Sequence, residues 1–127
     1  MVYVRGFIDP NIPIGTEVHG IPVLGADADV KYLVQGRLHM GIIAVGWLDP
    51  SAQLRTDLFS QNNENKLMMP PVVHPTAFVD PTAVLGYGVQ IHAGAHVGAD
   101  AVIADGSMIS TNAVVSHGSY IGEHTHI

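Results

Sequence analysis

Imidazole is the side chain through which this sequence could do chemistry at neutral pH. His74 and His92 lie 18 residues apart with His96 close behind, so a chain that coils with that period stacks the first two on one outer face. Three such chains brought together could gather these histidines into a metal site built from nitrogen ligands. A stacked surface ladder explains the same spacing without any metal. Two more histidines, His117 and His126, lie nine residues apart in the same region. There is no cysteine, which leaves neither a thiolate metal site nor a disulfide framework. In the first half, Asp9 ends an apolar run before Pro10, where it could touch a ribose or a base or simply make a turn. Arg55 could meet an anionic ligand, although a solvated helix arginine is the plainer reading. Trp47, the single tryptophan, suits a core or interface anchor better than a ligand platform.

Most of these histidines are carried by a repeat. From Val72 the chain reads in sixes, and the second residue of each six is aliphatic without exception: Val73, Val79, Leu85, Ile91, Val97, Ile103, Ile109, Val115, Ile121 and Ile127. Four residues after each aliphatic comes a small side chain, as at Ala77, Ala95, Ala101 and Ser107. One place earlier stand Gly88, Gly94, Asp100, Gly106, Asn112 and Gly118, types that tolerate positive φ. A tight corner every six residues predicts a three-sided coil of about 18 residues per turn, with about three coils between Val72 and Ile127. His117 then falls at a corner, and His126, next to the inward Ile127, faces outward. Burial of the aliphatic file offsets only part of the ordering entropy, so association with other chains is expected.

Residues 1–66 read as alternating strand and helix. Val2 to Ile8 is a candidate buried strand, Asp27 a cap for a helix from Ala28 to Gln35 that Gly36 stops, and Ile42 to Gly46 a second core strand. Asp49-Pro50 opens another helix with Leu54 and Leu58 on one face, ended by Asn62-Asn63, and the polar stretch Ser60 to Lys66 reads as a linker. This order suggests an α/β unit with a parallel sheet. Five Lys and Arg against 11 Asp and Glu give a formal charge of -6, which argues against nucleic acid and anionic membrane surfaces as partners. No apolar run approaches the roughly 18 residues of a membrane helix, and no leader follows Met1, so a soluble cytoplasmic protein is expected.

The segments Gly6-Phe7-Ile8-Asp9, Gly20-Ile21-Pro22-Val23-Leu24-Gly25, Ala44-Val45-Gly46 with Arg55, Val73-His74-Pro75-Thr76-Ala77 and Val115-Ser116-His117 occur in an order that resembles the acetyltransferases of sialic acids and bacterial nucleotide-activated amino sugars. These are a branch of the hexapeptide-repeat superfamily, and the resemblance spans nearly the whole chain. It implies a left-handed parallel β-helix over 72–127 and a Rossmann-like segment over 1–66 that holds the nucleotide sugar, with Asp9 and Arg55 at the sugar or nucleotide. It further implies a homotrimer with acetyl-CoA, the co-substrate, between neighbours and no metal, with Ser110 at the acyl-CoA, His117 as general base and His126 close to the reacting group.

Relative to that family, Gly118 stands where a carboxylate usually follows the base, and 72–127 contain no Lys or Arg. The strand and glycine-rich loop that open the family's N-terminal domain have no counterpart before Val2, so the resemblance reads the chain as truncated at both ends. A non-catalytic trimeric scaffold is therefore the second reading. The third is a metal site like that of the γ-class carbonic anhydrases, whose paired-histidine spacing His92 and His96 do not reproduce. An uncovered aliphatic floor at Ile127 also suggests trimers stacked end to end.

Overall fold

A computed structural model describes residues 3–46 and 51–127. Val2, Trp47 and the Asp49-Pro50 helix start lie outside the described residues.

The N-terminal sheet differs from expectation. Strand β1 (Phe7–Ile8) pairs in parallel with one side of β3 (Ile21–Gly25), while β2 (Glu17–Val18) pairs antiparallel with the other. The order β1-β3-β2 makes a small mixed sheet rather than a parallel one wound by helices. β1 is short because Tyr3, 74% exposed, and Val4 stand in solvent. A 3-10 turn (Asp27–Asp29) leads into α1 (Val30–Gln35). Asp27 does not cap it; the Asp29 carboxylate instead accepts the Ala26 N–H at 2.8 Å. Gly36 does follow the last helical residue as the C-cap, with φ -83°. Arg37 takes the left-handed conformation at φ 80°, and the Leu38 N–H closes on the Leu33 carbonyl at 2.9 Å, as in a Schellman closure.

Ile42 to Gly46 form no strand; Ile43 is buried and Ile42 is exposed. The apolar run is extended chain whose carbonyls are taken up by side chains instead of by a ladder. α2 (Ser51–Glu64) continues past Asn62-Asn63, so Ser60 to Glu64 are its last turn and not a linker. Buried Leu67 explains the extension: its N–H reaches the Asn62 carbonyl at 3.0 Å, with Lys66 left-handed at φ 61°.

The repeat folds as its columns require. Nine two-residue strands follow: β4 (Val72–Val73), β5 (Phe78–Val79), β6 (Val84–Leu85), β7 (Gln90–Ile91), β8 (His96–Val97), β9 (Val102–Ile103), β10 (Met108–Ile109), β11 (Val114–Val115) and β12 (Tyr120–Ile121). They pair in parallel as β4-β7-β10, β5-β8-β11 and β6-β9-β12, with partners offset by 18 residues, as in Val73↔Ile91↔Ile109. Three stacked parallel sheets of this kind fit a left-handed parallel β-helix. All six residues chosen for the corners have positive φ, from 56° at Asp100 to 71° at Gly106, and His124 joins them at 52°.

The first coil turns differently. Pro75-Thr76 and Pro81-Thr82 make its corners, and the two threonine hydroxyls accept the N–H groups of Gly94 and Asp100 in the coil above, at 3.2 and 2.8 Å. The Thr82 hydroxyl and N–H both donate to Asp80, which holds its carboxyl below the usual range. A depressed carboxylate favours the fold above its unfolded pKa, and that contribution disappears as pH falls through the lowered folded value.

Ile91, Val97, Ile103, Ile109 and Val115 are buried, whereas Val73 at the first coil is 40% exposed. Among them Ser107 is fully enclosed; its hydroxyl donates to the Gly122 carbonyl at 2.7 Å and accepts the Thr125 N–H at 2.9 Å. Ser107→Ala strands both partners and is expected to cost about 1–3 kcal/mol in denaturant unfolding with the fold unchanged. α2 packs along one corner of the coil. Phe59 covers Gly88 and meets the His124 ring edge-on at 4.9 Å, and the Gly88 N–H donates to the Met69 carbonyl at 2.6 Å.

Candidate active site

His117 occupies the turn between β11 and β12 and is exposed. Its backbone is tightly held from below: the Gly98 N–H donates to the Val115 carbonyl at 2.9 Å, and the Gly118 N–H to the Ala99 carbonyl at 2.8 Å. Gly118 has φ 65°, which a glycine adopts without cost. Among the described residues none hydrogen-bonds the His117 ring, and no carboxylate among them orients it.

Ser110 and His126, 16 residues apart, are brought together. The Ser110 Oγ and His126 Nε2 lie 2.5 Å apart, in a hydrogen bond whose direction follows the imidazole tautomer. The 18-residue period creates the contact: His126 bridges Met108 in parallel, and the Ser110 N–H donates to the Ile127 carbonyl at 2.9 Å. Both side chains face outward, as expected of His126. The pair sits where β10 gives way to the next corner, whereas His117 is one side further round, beyond β11. Within one chain the coil thus offers an exposed imidazole and, one side away, a hydroxyl–imidazole pair.

The other candidates have local hydrogen-bond partners. Asp9 accepts the Asn11 N–H at 2.7 Å, a turn contact, while lining a depression of about 350 Å³ with Pro13, Ile14 and Asp29. Arg55 is 3% exposed, which corrects the solvated-helix reading. Its Nη1 donates to the carbonyls of Ile43 and Val45 at 3.0 and 2.5 Å, and burial pushes its pKa down. The Gln90 amide adds a 2.8 Å bond to the Ile43 carbonyl, so Arg55 and Gln90 together fasten this segment between α2 and the coil.

His74 contacts the Thr76 hydroxyl through Nδ1 at 2.9 Å, and His96 stacks on Phe78 with centroids 4.8 Å apart. His74 and His92 line one groove of about 460 Å³ together with Ile42, Val72 and Val73. Among the described residues no three metal-ligating side chains converge, and no helix is long and apolar enough to cross a membrane. The reading from sequence missed the corner role of His124, although the column Gly88, Gly106, His124 signalled it.

No protein-family profile matches this sequence, and no curated protein matches it either. Solved structures do. A histidine-to-alanine mutant of GDP-perosamine N-acetyltransferase from Caulobacter crescentus, in complex with CoA and GDP-perosamine, superposes with a TM-score of 0.83 at 30% identity, over 95% of this chain and 55% of that one. PerB from the same organism, in complex with the same two ligands, gives 0.78 at 33% identity over 86% and 51%. The acetyltransferase domain of PglB from Neisseria gonorrhoeae, in complex with acetyl coenzyme A, gives 0.82 at 28% over 95% and 56%. The chain is similar in fold and sequence to these hexapeptide-repeat sugar N-acetyltransferases. It spans about half the length of these relatives. The superposition on the first of these structures reaches 95% of the chain, the three-sided coil included.

Proposed function

We propose that this chain is an acetyl-CoA-dependent N- or O-acetyltransferase acting on a sugar, in its nucleotide-linked form, and that it works as a cytoplasmic homotrimer with each site between protomers. The observation that carries the proposal is the exposed His117 imidazole on a backbone-fixed corner of a coil shared with relatives that hold CoA. In this division of labour residues 72–127 take the acyl donor. Residues 1–66 take the sugar nucleotide, with the depression beside Asp9 as its seat.

His117 takes a proton from the sugar's amine or hydroxyl as that atom attacks the thioester carbonyl. The tetrahedral oxyanion collapses, the carbon–sulfur bond breaks, and the imidazolium returns its proton to the departing thiolate; backbone N–H groups are the available oxyanion donors. The Ser110–His126 pair, one side round the coil, would reach the acyl-CoA of a neighbouring protomer rather than its own His117. Residues 72–127 contain no Lys or Arg, so within them the phosphates of CoA would be met by N–H groups.

Calorimetric titration with acetyl-CoA tests the reading. Saturable binding at one site per chain is expected; absence of heat at millimolar ligand would leave the non-catalytic scaffold standing.

A further inference from the structure

We infer that Gly98 is a positioning residue for the His117 imidazole, acting through the backbone of the turn; the inference rests on the acetyltransferase reading of His117. A general base must be held within a narrow range of its productive position, and a neighbouring carboxylate commonly does this by bonding the ring. Here Gly118 stands where such a group would follow the base, and among the described residues nothing bonds the imidazole. The height of the turn is then what sets where the ring begins. That height is set by Gly98, directly beneath. A Cβ at Gly98 would lie 2.7 Å from the His117 backbone nitrogen and 3.1 Å from its Cα. Both are main-chain atoms, which cannot swing aside as a side-chain tip can.

The coil does not itself demand glycine there. The same column of the repeat holds His74, Asp80, His92, Ala104, Ser110 and Ser116, all of which carry a Cβ. Gly86 shares the close approach but has a different residue above it: its Cβ would lie 2.8 Å from the Asp105 nitrogen. Gly86 and Gly98 therefore form a matched pair. Each lets a turn settle onto the coil below, and only one of those turns bears a histidine.

Gly98→Ala and Gly86→Ala in the full chain separate positioning from stability. Both should lower the unfolding midpoint. Gly98→Ala should reduce kcat for CoA release by about 10- to 100-fold, with KM for acetyl-CoA unchanged within about twofold, and should move the His117 ring carbon–proton NMR signal. Gly86→Ala should leave kcat and that signal where they are. Equal losses from the two substitutions, or a His117 signal that Gly98→Ala leaves in place, would overturn the inference. A wild-type chain that releases no CoA defeats the acetyltransferase reading instead, and the NMR comparison still decides whether Gly98 places the ring. Gly118→Val provides a second route if Gly98→Ala does not fold. Its side chain meets open space, but φ 65° excludes a β-branched residue, so it should displace the same turn, the same signal and kcat.

Discussion

Replacing His117 with alanine lowers kcat by about 100- to 10,000-fold while acetyl-CoA binding by calorimetry stays within about threefold. The first figure is the usual worth of a positioned proton acceptor. The second follows from where the residue sits: His117 is exposed at a corner, with no side-chain hydrogen bond among the described residues, so its removal leaves the coil and its backbone donors in place. Loss in kcat without loss of binding marks an interaction made in the transition state. His96→Ala is the comparison, because that ring is also an exposed imidazole on the coil but is stacked on Phe78. It should leave kcat within about twofold. Equal losses at the two positions would mean that exposed histidines matter to the coil generally and that His117 has no special role.

Ile103→Ala should cost about 2–5 kcal/mol in unfolding free energy, enough to threaten the fold of a small domain. Ile103 is 0% exposed in the middle coil, stacked between Leu85 below and Ile121 above. The alanine leaves a cavity that neither neighbour can fill, because inter-coil backbone hydrogen bonds fix their spacing. The identical substitution at Ile127, 44% exposed, removes contacts from one side only and should cost about 1 kcal/mol or less. Chemical denaturation of the two variants measures the difference directly. Similar midpoints would mean that stability does not reside in the stacked aliphatic file.

The contrast between the halves of the chain shows what sequence can and cannot disclose. In the repeat, one residue type per column decides the structure: aliphatic inward, small at the return, left-handed at the corner. Each column was legible because its demand recurs with every hexad. His124 escaped notice because histidine is an unusual occupant of a left-handed corner.

In residues 1–66 the decisive partners lie far apart in sequence. Ile42 to Val45 have the composition of a strand, yet Arg55 and Gln90 supply the hydrogen bonds that a ladder would have supplied. Asn62-Asn63 look like a helix end, but α2 runs on through Glu64 and docking of Leu67 closes it, with the Leu67 N–H on the Asn62 carbonyl. The site divides in the same way. The approach of Ser110 to His126 follows from the 18-residue period, whereas the burial of Arg55 depends on carbonyls 10 and 12 residues away that only the folded chain presents to it.

The most direct test is acetyl-CoA-dependent thiol release in the presence of GDP-linked or UDP-linked amino sugars, followed by mass spectrometry of the sugar. Saturable CoA release matched by a sugar product heavier by one acetyl group is the predicted result. A chain that binds acetyl-CoA but releases no CoA above the rate of its hydrolysis with any such sugar would contradict the account.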